Sequence, residues 1–179
     1  MDAAIDGVIA FIGEHRAWAF WIALVFAFAE NLAFLSIAIP STAILVGVGA
    51  LVATGEISFL PLFIGAAIGA MLGATVSWFL GLIYGDYILR LWPLRDYPVL
   101  VQRGKATLEK WGPLAVIGGH FFGPLRPVAP LLCGMSLMPF WKFQIYNVAG
   151  ALGWAWLVPK FGELGGILIG WLWTAFFGA

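Results

Sequence analysis

The chain has 179 residues, of which 63% are hydrophobic and only 10% are charged. Soluble domains carry about 25% charged residues, so a soluble fold of this size could not cover its own surface, and the composition indicates a membrane protein. The formal net charge is zero, and we expect no nucleic-acid partner. The single cysteine, Cys133, cannot form a disulfide within the chain. We therefore assign it a packing role and expect neither a metal site nor a cofactor.

The first half of the chain contains two long apolar segments separated by a shorter one. Residues 17–38 predict a transmembrane helix with Glu30 in its inner half. Residues 40–55 follow, starting at Pro40, and are shorter than the roughly 20 residues that a membrane crossing needs. This length favours a re-entrant segment. Residues 60–84 are long enough to cross the bilayer completely as a helix.

Small residues recur at every fourth position of the 60–84 segment. Such a stripe lets another helix approach closely, and we expect it to serve packing rather than ligand binding. The neighbouring helix could belong to this chain or to a second copy in a homodimer. The stripe consists of Gly65, Gly69, Gly73, Ser77, Gly81 and Gly85.

Basic residues cluster in the linker at 86–112. By the positive-inside rule this cluster predicts a cytoplasmic linker. Leu100, Leu108 and Trp111 recur near helical spacing, which suits a helix lying on the membrane surface, and a solvated loop is the alternative. The clustered basic residues are Arg90, Arg95, Arg103, Lys105 and Lys110.

The second half begins with a segment at 113–139 that glycines and prolines interrupt repeatedly. A continuous helix is therefore disfavoured, and the segment predicts a broken hairpin that dips into the bilayer. Irregular backbone at that depth requires protein or a water-filled cavity around it. Residues 141–159 and 164–178 are the last two predicted spans, the second of them short.

A weak internal repeat relates the two halves. Phe59 and Gly69 in the first half match Phe140 and Gly150 in the second half, at the same spacing. Each match follows a proline-broken segment, which is the pattern of transporters built from inverted repeats.

These elements predict one all-α membrane domain over residues 1–179, with transmembrane helices and two opposed re-entrant hairpins in an inverted repeat. The first repeat covers about 17–85, the surface linker 86–112 and the second repeat about 113–179. The predicted topology is multi-pass with both termini in the cytoplasm, and it leaves Lys160 as the lone basic residue outside.

The two proline breaks carry the polar groups that point to a binding site. Ser41 and Thr42 follow the first break as candidate helix caps, and His120 and Arg126 flank the second. Free N–H groups at helix starts suit an anionic head group, above all a phosphate. Arg126 could bind it through two parallel hydrogen bonds, and His120 would add a charge that depends on pH. His120 and Arg126 converge only if the backbone bends at Gly123 and Pro124.

Glu30 is the candidate proton-coupling group. A carboxylate beside Arg126 would stay charged until a substrate displaced it, so the pair could couple transport to proton or ion movement. A purely structural ion pair between Glu30 and Arg126 is the alternative. For His120, a hydrogen bond to the backbone of a cavity is the alternative to a contact with substrate or proton.

Three segments of the second half resemble the DedA family, also called the SNARE-associated or VTT-domain family. They are GHFFGPLRP at 119–127, CGMSLMPF at 133–140 and YNVAGALGW at 146–154. Glu30 and Pro40 also fall where the first motif of that family has them, and the similarity covers roughly residues 20–165.

The resemblance implies a bacterial inner-membrane protein with two opposed re-entrant hairpins that moves lipid across the bilayer. The implied substrates are undecaprenyl phosphate or phospholipids such as phosphatidylethanolamine, with dependence on the proton motive force. Two positions depart from the family pattern. Thr42 stands where an acidic residue is common, and His120 stands where an arginine is common.

We therefore expect a lipid transporter or flippase, not an enzyme, whose partners are a membrane lipid with a phosphate head group and protons. A proton-coupled ion or drug exporter and a lipid phosphatase or transferase are the alternatives, together with a structural membrane protein that has no substrate. An enzyme would need a metal or nucleophile constellation, and the only two histidines, His15 and His120, lie far apart in the sequence.

Overall fold

A computed structural model describes residues 18–32, 52, 58–90 and 94–177, and these residues form helices and short connections without a β-strand among them. The α-helices are α1 (Ala19–Glu30), α2 (Phe59–Tyr84), α3 (Asp86–Leu89), α4 (Pro98–Trp111), α5 (Leu114–Phe121), α6 (Val128–Met135) and α7 (Phe140–Phe177). Short 3₁₀ turns cover Leu94–Asp96 and Gly123–Leu125. The predicted all-α class is confirmed for these residues, whereas the predicted re-entrant segment at 40–55 lies outside them.

Helix α2 confirms that the segment 60–84, predicted as a span, is one long apolar helix. It has 26 residues and, among the described helices, is the one that is both long and apolar enough to cross a bilayer. At 1.5 Å per residue it is about 39 Å long, which exceeds the roughly 30 Å of a hydrocarbon core.

Many large apolar side chains point outward from the helices. Trp21, Leu60, Trp141, Ile145 and Phe161 are all more than half exposed, with Trp141 reaching 77%. Large exposed apolar side chains in such number are typical of a surface that contacts lipid or another protein, so these side chains are suited to contact lipid. The outer surface thus supports the membrane class that the composition indicated.

The glycine stripe packs α2 against its neighbours within the chain. A Cβ atom on Gly65, Gly69 or Gly73 would collide with the backbone of α1, and one on Gly81 would collide with the backbone of α6 at Leu131. The packing prediction is therefore confirmed at these positions. Gly85 differs, because it ends α2 with a positive φ of 47° and has open space where a Cβ would lie. It serves as a turn residue rather than as a packing residue.

Helix α1 ends at Glu30, so the helix predicted over 17–38 is interrupted there, and residues 33–38 lie outside the described part of the chain. Asn31 explains the stop, because its side-chain Nδ2 donates to the Ala27 carbonyl at 2.8 Å, and its own carbonyl accepts from Ser77 Oγ on α2 at 2.6 Å. These bonds satisfy carbonyl groups that the end of a helix leaves free. Glu30 therefore lies at the end of a helix rather than along its length.

The prediction of two separate spans at 141–159 and 164–178 is wrong. Helix α7 runs without interruption for 38 residues with Pro159 inside it. Proline is tolerated inside a membrane helix when neighbouring groups satisfy the backbone carbonyl that it leaves without a hydrogen bond. Lys160, which was expected to lie between the two spans, has its Nζ atom 4.8 Å from the centre of the Phe59 ring. The predicted cytoplasmic position of the C-terminus depended on that turn and loses this support.

The linker contains a helix, and its predicted position on the membrane surface stays a prediction. Helix α4 begins at Pro98, ends at Trp111, and places Val101 against Leu132 and Val128 of α6. The segment at 113–139 is also broken as predicted, into α5 and α6. Its depth in a bilayer stays a prediction.

The two halves share one packing feature. Phe59 begins α2 and Phe140 begins α7, and the glycine ten residues further on faces a preceding helix in each half. A Cβ on Gly69 would strike the backbone of Leu24, and one on Gly150 would lie against Ile117 and the His120 ring. This agreement supports related halves, and their inverted arrangement stays a prediction.

Candidate functional site

The break between α5 and α6 turns the chain back on itself. After α5, Phe122 adopts an extended backbone, and the turn closes through hydrogen bonds from the N–H groups of Leu125 and Arg126 to the Phe122 carbonyl, at 2.9 and 3.0 Å. Pro127 then precedes the first residue of α6. Proline fits a helix start because it needs no hydrogen-bond partner for its nitrogen. The bend directs the Arg126 side chain back toward α5.

Arg126 joins three elements and is only 2% exposed. Its Nε and Nη2 atoms donate to the His120 carbonyl at 3.0 and 2.5 Å, its Nη1 atom pairs with the Glu30 carboxylate, and its guanidinium lies 4.1 Å from the centre of the Trp154 ring. A planar guanidinium suits this combination of a carbonyl, a carboxylate and an aromatic face. The predicted bend is thus confirmed, and it brings Arg126 to the carbonyl of His120 rather than to its imidazole.

The ion pair between Glu30 and Arg126 is buried on both sides. Glu30 is 6% exposed, and it is held at this place by the end of α1 that Asn31 and Ser77 fix to α2. A buried charge without a partner is strongly unfavourable, whereas a hydrogen-bonded pair is tolerated. The structure therefore brings Glu30 and Arg126 together, as the sequence predicted, although they lie far apart in the chain.

His120 belongs to a second polar cluster. Its Nε2 atom lies 3.1 Å from Asn147 Oδ1, while Asn147 Nδ2 donates to the Met71 carbonyl at 3.2 Å and to Gln144 Oε1 at 2.8 Å. The Met71 carbonyl can only accept, so the Asn147 amide must turn its nitrogen toward Met71 and its oxygen toward the imidazole. Because that oxygen also can only accept, His120 Nε2 must carry the proton. The buried Nδ1 atom has no hydrogen-bond partner among the described residues.

Sequence reasoning did not single out Asn147, Gln144, Thr75 and Trp154 as site residues. Thr75 on α2 donates to the Met71 carbonyl at 2.7 Å and lies 3.2 Å from Gln144 Oε1, so the polar cluster connects α2 with α7. The sequence did contain a signal for this polar cluster. Gln144 and Asn147 are polar residues three positions apart in an apolar segment, so they share one helix face.

Two predicted binding residues cannot be placed, because Ser41 and Thr42 lie outside the described residues. Across the part of the chain that the structure describes, no three His, Cys, Asp or Glu side chains are grouped so that they could hold a metal ion. Cys133 is buried against Trp78 and Phe143, in agreement with a packing role.

Comparison with known proteins identifies the family. The sequence model of the VTT domain matches residues 39–164, which is more than half of the chain. The chain belongs to the VTT-domain, or DedA, family. The resemblance found in the motifs around Arg126 is thereby confirmed.

Several bacterial members of the VTT-domain family are similar to this chain. The inner membrane protein YabI of Escherichia coli (strain K12) is 31% identical over 160 residues, which is 89% of this chain and 61% of YabI. The inner membrane protein YghB of the same organism is 27% identical over 171 residues, covering 89% of this chain and 78% of YghB. The membrane protein MT2715 of Mycobacterium tuberculosis (strain CDC 1551 / Oshkosh) is 32% identical over 127 residues.

This VTT-domain chain spans less than two thirds of YabI and of MT2715, with 61% and 58% of their lengths covered. No solved structure matches it. The names of its relatives agree with the apolar surface of the helices, and both place the chain among bacterial membrane proteins.

Proposed function

We propose that this protein transports a lipid with an anionic phosphate head group across the bacterial inner membrane. Undecaprenyl phosphate or a phospholipid such as phosphatidylethanolamine is the proposed substrate. The observation that supports this most is the buried ion pair of Glu30 and Arg126 beside the break between α5 and α6. Ionisable groups inside a membrane protein are costly and mark substrate or ion pathways.

The pair suggests a mechanism in which phosphate and carboxylate compete for one guanidinium. Arg126 keeps Nε and Nη2 on the His120 carbonyl, while Nη1 faces Glu30. An incoming phosphate would take the place of the Glu30 carboxylate and form charge-assisted hydrogen bonds to the guanidinium. The lipid tail would remain in the hydrocarbon. Ser41 and Thr42 are proposed to add donors to the same head group from the other break.

Displacement of Glu30 supplies a link to protons. A carboxylate that loses its buried partner can take up a proton in place of the ion pair, and it can release that proton when the lipid leaves. His120 is the second proposed proton site, since Nε2 is fixed by Asn147 and Nδ1 is the atom left to exchange a proton. These two groups support the proposal that the proton motive force drives transport.

The test is translocation of a fluorescent phospholipid, and of undecaprenyl phosphate, in proteoliposomes. Arg126→Lys keeps the charge but loses the planar fork, so we expect a fall of at least tenfold in initial rate, and a larger fall for Arg126→Gln. Arg95→Gln is the matched control, because Arg95 pairs with Asp96 on the surface with 68% of its side chain exposed. Rates for the Arg126 variants equal to that of Arg95→Gln would overturn the site.

The coupling is tested separately, with an imposed pH gradient and with an uncoupler. We expect the gradient to accelerate translocation in the wild type and to have no effect in Glu30→Gln. If neither the pH gradient nor the uncoupler changes the translocation rate of the wild type, the protein is a passive scramblase. Release of inorganic phosphate from a polyprenyl diphosphate would instead indicate a lipid phosphatase, and it would refute the transport proposal if no lipid moved.

A further inference from the structure

A largely apolar cavity lies beside the same bend. It has a volume of about 410 Å³, lies between α4 and the α5–α6 break, and has none of Glu30, His120 and Arg126 in its lining. Cavities of roughly 300–1,000 Å³ are the size at which proteins hold small molecules. Its lining includes Leu108, Trp111, Leu114, Gly118, Phe122 and Leu125.

The lining is mostly hydrocarbon, and its side-chain donors are the Thr107 hydroxyl and the indole N–H of Trp111. The Thr107 hydroxyl donates to the Arg103 carbonyl of its own helix at 2.7 Å. Gly118 keeps the space open, because a Cβ there would meet no atom within 4 Å. Binding sites for polar small molecules usually contain a few converging polar groups. The chemistry of this cavity therefore fits an alkyl chain.

Basic side chains lie on α4, the helix that forms one wall of the cavity. Helix α4 carries Arg103 and Lys110, which flank Thr107 on the helix surface, and both are exposed. Lys110 Nζ lies 5.5 Å from the ring centre of Trp111, a lining residue that is itself 56% exposed. Glu109 is also exposed on this helix, but the basic residues outnumber it. An exposed tryptophan next to a lysine is typical of the level of lipid head groups.

We propose that this cavity binds one acyl chain of a resident anionic phospholipid, whose phosphate lies between Arg103 and Lys110. The apolar volume would hold the acyl chain of this lipid, and the two basic side chains would bind its negatively charged phosphate. This lipid is separate from the transported one, because none of Glu30, His120 and Arg126 lines the cavity. Bound there, it would anchor α4 to the membrane surface and support the wall formed by Gly119 and Leu125, the neighbours of His120 and Arg126.

The experiment uses liposomes of phosphatidylcholine that contain a small fraction of either phosphatidylglycerol or phosphatidylcholine with a diazirine in one acyl chain. After irradiation, labelled peptides are identified by mass spectrometry. We expect labelling of the segment 104–125 by the phosphatidylglycerol probe in preference to the phosphatidylcholine probe. Because each basic residue contributes roughly fivefold to binding at an anionic surface, Arg103→Gln and Lys110→Gln should each reduce that preference by about this factor. Arg95→Gln should leave it unchanged.

The cavity itself is tested by filling it. Gly118→Val should lower labelling of 104–125 severalfold and Gly118→Leu at least tenfold, whereas Gly165→Leu, at a glycine of α7 that also has open space, should not change it. Equal labelling by both probes, or labelling that Gly118→Leu leaves intact, would overturn the proposal. So would loss of a dimer in Gly118→Leu with unchanged lipid labelling, because the occupant would then be a second copy. The surface variants at Arg103 and Lys110 keep the test valid if Gly118→Leu fails to fold. Labelling needs no translocation, so its result tests this site independently of the transport proposal.

Discussion

Replacing Glu30 by glutamine tests whether the buried ion pair also holds the fold together. The change removes one charge and leaves the Arg126 cation at 2% exposure without its carboxylate. Breaking a buried pair from one side costs about 3–5 kcal/mol, because the remaining charge stays desolvated. Arg126 would retain its bonds to the His120 carbonyl and its contact with Trp154, so we expect the lower part of this range for Glu30→Gln.

Arg126→Gln should cost more than Glu30→Gln. It leaves the Glu30 carboxylate buried, and it also removes both hydrogen bonds to the His120 carbonyl and the contact with Trp154. Each such hydrogen bond to a charged group contributes about 1.5–3 kcal/mol. The double variant should be less destabilised than the sum of the single variants, by about 2 kcal/mol or more, because it removes both charges of the buried pair.

The assay is reversible unfolding in mixed micelles with increasing denaturing detergent, followed by tryptophan fluorescence. Arg95→Gln is the control, and the free energy of unfolding should change by less than about 0.5 kcal/mol, because exposed ion pairs contribute little. Strictly additive free energies for Glu30→Gln and Arg126→Gln would refute an energetic coupling between the two side chains. A Glu30→Gln variant as stable as wild type would refute the cost of the unpaired cation.

Gly81→Ala should destabilise the protein by about 1–3 kcal/mol, because its new methyl group would collide with the Leu131 carbonyl, whereas Gly165→Ala has open space and should be close to neutral in the same unfolding assay. Equal effects would show that α2 and α6 are not in backbone contact at Gly81. Asn147→Leu should also cost about 1–3 kcal/mol, since it leaves buried polar partners unsatisfied. Nitrogen NMR of His120 should then report that Nε2 no longer holds its proton preferentially, and an unchanged tautomer would contradict the role assigned to Asn147.

The sequence predicted those elements whose cause is local. The span at 60–84 followed from its apolar length, and the break after His120 followed from glycines and prolines that a helix interior excludes. The packing role of Gly65, Gly69, Gly73 and Gly81 followed from their regular spacing. In the linker the helical spacing was visible, but the choice between helix and loop required the contact of α4 with α6.

The failures have a common cause. Two spans were predicted on either side of residues 160–163, yet α7 continues through them, with Pro159 buried and Lys160 lying over the Phe59 ring. Helix α1 ends early because Ser77, on another helix, binds the Asn31 carbonyl. In each case the decisive partner is distant in the chain, so the local sequence could not reveal it.

The amino-acid sequence alone determined that this is an all-α membrane protein with a broken segment around Arg126, because composition, apolar length and proline positions act locally and need no tertiary contact. It also named Glu30, His120 and Arg126 as charge-capable groups that hydrocarbon disfavours. The sequence also suggested the pair of Glu30 and Arg126, but only the tertiary structure shows that the two side chains meet, and only it gives Asn147 as the partner of His120. These pairings depend on how α1, α5 and α7 pack around the bend, and the preference of buried charges for a partner becomes specific only when packing limits which partner is within reach.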